Sequence, residues 1–119
     1  MRLILLIAAV GALAFVASSA AATGYCSPTG DYCTSAARVH GLRYLQLNTF
    51  SFRGRVKICV TDLTSARVCR AFRLRKVGPI WQVRVLWKRH FPNRGAGLYR
   101  VSFFYGPTRL GPVLSFKRP

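Results

Sequence analysis

From Tyr32 onward, apolar and polar side chains alternate in short runs separated by turn residues, and no apolar stripe at helical spacing lasts beyond two turns. A period of two marks strands with one buried face, so an all-β chain is expected. Residues 54–75 form the clearest unit. Val56, Ile58 and Val60 alternate with Arg55, Lys57 and Cys59. Beyond the turn Asp62-Leu63-Thr64-Ser65, Val68, Phe72 and Leu74 alternate with Cys69, Ala71, Arg73 and Arg75. Setting Cys59 opposite Cys69 in an antiparallel hairpin aligns Val60 with Val68 and Val56 with Phe72 on the apolar side. Arg55, Lys57, Arg73 and Arg75 then share the other face with the disulfide. Arg70 falls on the apolar side and is expected at a rim or on a bulge.

The same alternation places a first strand near residues 33–39, a break at His40-Gly41, and a second strand at about 42–50. Farther along, Trp81, Val83, Val85 and Trp87 point one way and Gln82, Arg84 and Lys88 the other. A loop over residues 89–96, containing Pro92 and Gly95, precedes a strand in which Tyr99, Val101, Phe103 and Tyr105 alternate with Arg100 and Ser102. Gly106-Pro107 turns the chain, and residues 110–116 close it. About seven strands in a domain of this length predict an antiparallel β-sandwich. Its expected core is Val56, Ile58, Val60, Phe72, Trp81, Val83, Val85, Trp87, Tyr99, Val101 and Phe103.

The first residues follow a different pattern. Arg2 precedes an apolar run from Leu3 to Val16, and the small residues Ala17 to Ala22 follow, with Ala20-x-Ala22 as an A-x-A cleavage site. This is the layout of a secretory signal peptide over residues 1–22, ahead of one domain at 23–119. The rival is an uncleaved anchor, since Leu3 to Ala22 carries no charge; the stretch ends in Ser and Ala with no positive stop-transfer flank. Cleavage leaves no transmembrane segment and an extracellular or envelope-associated protein. Four cysteines in a short exported chain read as two disulfides, with three connectivities open. Local pairing, Cys26–Cys33 and Cys59–Cys69, is favoured because each pair brackets a turn. The C-x6-C and C-x9-C spacings match no common zinc pattern, so no metal is expected.

Gly97-Leu98-Tyr99-Arg100-Val101 resembles the G-x-Y-x-V that opens the penultimate strand of many immunoglobulin-like domains, where the Tyr hydroxyl bonds back across the preceding loop. The resemblance implies an immunoglobulin-like β-sandwich in which the Trp81–Trp87 strand precedes that loop. It departs from antibody-type domains, because no Cys lies two residues after Tyr99. The chain also looks like a group of uncharacterised small secreted proteins from actinobacteria. The segments that carry this are Cys26-Ser27-Pro28-Thr29-Gly30-Asp31-Tyr32-Cys33, Phe72-Arg73-Leu74-Arg75, His90-Phe91-Pro92-Asn93-Arg94-Gly95, and Leu110-Gly111-Pro112 with Phe116. That resemblance implies export and the fold, and brings no activity with it.

Charge changes the picture more than composition does. The chain holds 19 Lys and Arg against two acidic residues, Asp31 and Asp62, and loss of Arg2 takes the formal charge from +17 only to +16. Two-carboxylate hydrolysis has no pair to use, since both Asp lie in turns where Asp ordinarily bonds its own backbone. His40 and His90 adjoin turn or loop residues, and no nucleophile elbow, HExxH, P-loop or GxGxxG occurs. A non-enzymatic protein without a cofactor is therefore expected, with a hydrolase as the remote alternative.

The remaining functional signal is Arg-rich surface. Arg53, Arg55, Lys57, Arg67, Arg73 and Arg75 form the candidate polyanion-binding face, because like charges set opposite one another are relieved by a bound anion and guanidinium forks suit its oxygens. The partners to expect are an anionic cell-wall polymer or an anionic lipid surface, with nucleic acid behind them. Diffuse charge that serves solubility or loose envelope association is the competing interpretation. A secreted basic inhibitor or antimicrobial protein is the other functional class, with Cys26 to Cys33 as the one inhibitory loop on offer.

Overall fold

Ten strands and one helical turn make up residues 22–119, the part of the chain described by the computed structural model. The signal segment expected over 1–22 lies outside the described residues except for Ala22. In chain order the elements are β1 (Gly24–Cys26), β2 (Tyr32–Val39), β3 (Leu42–Thr49), β4 (Arg55–Thr61), β5 (Arg67–Arg73), β6 (Arg75–Val77), β7 (Ile80–Leu86), α1 (Trp87–His90), β8 (Gly97–Tyr105), β9 (Thr108–Arg109) and β10 (Leu114–Arg118). One sheet has the order β1-β2-β3-β7-β6, and the other β10-β8-β4-β5 with β9 added to β8. Every pairing is antiparallel. Among the described residues no helix is long and apolar enough to cross a membrane.

Local turn chemistry sets several of the hairpins. His40 and Gly41 have φ of 50° and 81°, so both central residues of the two-residue β2–β3 loop take the left-handed conformation that matches strand twist. At the β4–β5 turn the side chain of Asp62 takes the place of backbone partners. Its Oδ1 accepts from the Thr64 N–H at 2.8 Å, the Thr64 hydroxyl at 2.6 Å and the Ala66 N–H at 3.0 Å. The hairpin register that follows is the expected one: Cys59 faces Cys69, Val60 faces Val68, and Val56 faces Phe72. Both local disulfides, Cys26–Cys33 and Cys59–Cys69, are formed.

The core lies between the two sheets, where alternate residues of each point inward. Val56, Ile58 and Val60 from β4 and Tyr99, Val101 and Phe103 from β8 meet Ala36, Leu45, Leu47 and Val83 from the first sheet. Phe72, Trp81 and Val85, expected inside, are only partly buried and pack against its margin. Leu45, Leu47, Leu110, Leu114 and Phe116 complete the interior from runs whose facing was not assigned from the alternation.

Two expected elements are corrected. The strand expected to carry Trp87 ends at Leu86, and Trp87 opens a helical turn closed by the Phe91 N–H on the Trp87 carbonyl at 2.9 Å. The turn has a packing reason: positions i and i+4 lie on one helix face, so Trp87 and Phe91 both reach the core. The long strand expected through Arg75 ends at Arg73. Leu74 is buried as a pivot, its N–H on the Gly54 carbonyl at 2.7 Å, and Arg75 then pairs with Gln82 in the other sheet. Arg70 needs no bulge. It sits opposite Ile58 on the outermost strand, exposed, with Nε donating to the His90 carbonyl.

Rings fill one end of the core. Trp87 meets Tyr99 and Phe116 edge-on at 4.9 and 5.1 Å, and Tyr99 stacks on Phe116 at 5.3 Å. The hydroxyl of Tyr99 bonds back across the 91–96 loop: it donates to the Gly95 carbonyl at 2.7 Å and accepts from the Arg94 N–H at 2.9 Å. Tyr99→Phe keeps the ring and leaves both backbone groups without that partner. We expect a loss of about 1–3 kcal/mol in urea unfolding, with the far-ultraviolet spectrum unchanged.

The Asp62 turn predicts a pH dependence. The Thr64 hydroxyl, foremost, together with the backbone N–H groups of Thr64 and Ala66 and the nearby Arg94 (3.4 Å), holds this carboxyl below its ordinary value against a smaller opposing effect of burial. A carboxyl depressed by folding stabilises fully above its unfolded-chain value, and that stabilisation is lost as pH falls through the folded one. Asp62→Asn should therefore be less stable than wild type at neutral pH, and the two proteins should converge as acid is added. Thermal unfolding across an acid series measures it.

Candidate functional site

Alternation along β4, β5 and β8 sends Val56, Ile58, Val60, Tyr99, Val101 and Phe103 inward, so their neighbours form the outer face of the second sheet. The register lays these neighbours out in rows. Arg55 faces Arg73 at one end. In the next row Ala71, Lys57, Phe104 and Arg109 lie side by side on four adjacent strands. The Cys69–Cys59 bridge and Ser102 follow, and then Arg67, Thr61, Arg100 and Ser115. Rows are separated by roughly 6.6 Å and strands by roughly 4.8 Å, so the cations stand within about 20 Å of one another. The two carboxylates of the chain lie in turns and not among these rows.

Phe104 organises the centre of this face. Lys57 Nζ lies 5.1 Å from its ring centroid, and Arg67 Cζ lies 5.7 Å from it, having reached past the disulfide row. A ring face attracts a cation at such distances, by about 0.5–1 kcal/mol at exposed sites. The ring is half-buried beneath these cations and is unlike an open stacking platform.

Four of the six expected residues, Arg55, Lys57, Arg67 and Arg73, are thus brought onto one face. Arg53 precedes β4 in the connection, and its backbone carbonyl accepts from the Tyr105 hydroxyl at 2.9 Å. Arg75 belongs to the other sheet, a correction that follows from the Leu74 pivot. A cleft of about 430 Å³ between the sheet margins nevertheless brings the two sheets' cations together, with Arg73, Arg75, Arg84 and His90 lining it around Phe72 and Val77. Arg100, Arg109 and Phe104 are the members that hairpin reasoning missed. Alternation with Tyr99, Val101 and Phe103 marks Arg100 and Phe104 as outward, but only the β4–β8 pairing places them beside Lys57.

His40 is exposed at a hairpin tip, and His90 meets the Phe72 ring edge-on at 5.2 Å. Among the described residues no three His, Cys, Asp or Glu side chains converge as metal ligands would. The arrangement offers fixed positive charge over a disulfide-braced sheet, with guanidinium forks that match phosphate, sulfate or carboxylate oxygens.

Directly opposed like charges destabilise a sheet, and salt screens them. Arg55→Gln should accordingly raise stability by about 0.2–0.5 kcal/mol at low ionic strength, with the difference vanishing at high salt. Urea midpoints at the two ionic strengths test this. Comparison with known proteins adds no neighbour to this geometry: no family model, no curated protein and no solved structure matches the chain.

Proposed function

We propose that this chain is an exported, non-enzymatic binding module that engages an extracellular polyanion through the outer face of its second sheet. The observation that carries the reading is the cluster around Phe104. Arg55, Lys57, Arg67, Arg73, Arg100 and Arg109 share one face of a rigid sheet, with no carboxylate in its rows. Two disulfides are consistent with an oxidising compartment, and the signal-like pattern of residues 1–22 agrees with export. An anionic cell-wall polymer or an anionic lipid surface is the first ligand that such a protein meets, and nucleic acid is a weaker candidate.

The fold assignment that goes with this reading is immunoglobulin-like. Its support is the strand order: β2-β3-β7-β6 against β10-β8-β4-β5 follows the A-B-E-D and G-F-C-C′ order of such sandwiches. The Tyr99 hydroxyl bonded back across the loop before β8 supports it as well.

The test compares two charge-matched triple variants for retention on isolated anionic cell-wall polymer, anionic phospholipid vesicles and duplex DNA across a salt series. One is Arg55→Ser/Lys57→Ser/Arg73→Ser on the outer face. The other is Lys76→Ser/Arg84→Ser/Arg89→Ser, exposed cations of the first sheet and α1. The first should elute at much lower salt than wild type, most clearly on one ligand, and on DNA its log–log salt slope should be shallower by about 2–3. Equal weakening of both variants on every ligand would show diffuse charge and end the proposal.

A further inference from the structure

A second basic locus lies apart from the Phe104 face, at the end of the sandwich where the β2–β3 turn, α1 and the last residues of β10 converge. It is a pocket of about 350 Å³. Arg38, Arg43, Lys88, Lys117 and Arg118 all line it, and no Asp or Glu does. Trp87 and Phe116 supply its apolar wall.

Two observations separate this pocket from ordinary basic surface. Arg43 is drawn partly inside: Nη1 donates to the Ala36 carbonyl at 2.8 Å, and its guanidinium carbon stands 4.5 Å from the Phe116 ring centroid. Arg38 faces it directly in the β2–β3 register. Burial, and then the Arg38 charge, push the Arg43 pKa below its ordinary value, so the protein holds this cation under an electrostatic load. The second observation is Trp87. It is only 5% exposed, yet its indole Nε1–H is buried and finds no acceptor in the protein. Phe116 touches both groups, 5.1 Å from the Trp87 ring and beneath Arg43, so the indole ring and the loaded cation share one wall.

One ligand class answers this convergence of cations on one pocket. We propose that the pocket is a binding site for a single phosphate group, free or as a monoester. Its oxygens accept from the Arg43 and Arg38 guanidinium forks, while Lys88, Lys117 and Arg118 supply charge around them and the Trp87 ring forms part of the wall. A dianion with four oxygens fits a cluster of five cations with no Asp or Glu in a lining that also includes Asn93 and Pro119. The volume is at the lower end of small-molecule sites, which leaves room for a short organic group on the phosphate beside Phe116. This site uses none of the outer-face residues and does not rest on the polyanion reading.

The experiment follows the two indole N–H resonances of the oxidised, nitrogen-15-labelled protein, assigned with Trp81→Phe. Inorganic phosphate, and separately glycerol phosphate, is titrated at constant ionic strength against chloride. The Trp87 resonance should shift saturably while that of Trp81 stays nearly fixed, and the better-bound titrant tells whether the free ion or the monoester is preferred. Arg38→Ser/Lys88→Ser/Arg118→Ser should weaken binding at least about tenfold. Arg55→Ser/Lys57→Ser/Arg73→Ser should leave it unchanged. The single exposed variant Lys88→Ser, which removes no packing from the core, should weaken it about two- to fivefold and keeps the test valid if the triple variant misfolds. A linear, unsaturated drift, equal movement of both indoles, or equal weakening by the two triple variants would overturn the site. None of these results depends on whether the protein is retained on a polymer.

Discussion

Nineteen cations against two carboxylates leave this chain almost no means of neutralising itself by ion pairs, and its architecture answers that constraint throughout. The one salt bridge among the described residues joins the half-exposed Arg94 to Asp62, which is buried at the β4–β5 turn. Seven other cations rest on rings or backbone carbonyls. Arg43 lies over Phe116, Lys57 and Arg67 over Phe104, Lys76 over Trp81, and Arg84 over Tyr44 at 3.9 Å. Arg43, Arg70 and Arg109 donate to backbone oxygens of Ala36, His90 and Gly111. Each contact is worth only about 0.5–1 kcal/mol, but together they hold long side chains against apolar surface with the charge still facing outward.

Repulsion on the outer face is small beside what holds that face together. Arg55 against Arg73 costs a few tenths of a kcal/mol or somewhat more. The Cys59–Cys69 bridge, two rows away on the same strands, closes a short loop worth about 2–3 kcal/mol by the chain-entropy argument. Inward side chains of the same strands add the burial of Val56, Ile58 and Val60. The hairpin therefore tolerates a charge distribution that an unbraced pair of strands would resist. A surface so arranged keeps its cations at fixed spacing, which favours binding an anion because little ordering entropy remains to be lost.

Burial gives the end pocket a different character. There the cations meet the three-ring cluster of Trp87, Tyr99 and Phe116, and Arg43 is partly withdrawn from water. An anion near these groups interacts through a lower effective dielectric than one on the open sheet. On the two proposals made above, the open face would take a long, screened polymer and the pocket a single group.

The period-two pattern was enough to establish an all-β chain, the facing of Val56, Ile58, Val60, Tyr99, Val101 and Phe103, and the whole Cys59–Cys69 hairpin register, because these depend on neighbours within one turn. Cysteine spacing around two turns favoured the local pairing among three connectivities, and both local bridges are formed. What lay beyond it involves contacts distant in sequence. Arg75 leaves its hairpin because Leu74 is buried where the chain crosses between sheets, and alternation continues unbroken through such a crossing. Trp87 faces inward as alternation requires, yet on a helical turn, because Phe91 must reach the same core. Arg100 and Arg109 join Lys57 only through the β4–β8 and β8–β9 pairings, and the pocket exists only where β3, α1 and β10 meet. Side-chain period is a local property and states which face a residue occupies; which faces are brought together is decided by strand pairing and by the burial of the core.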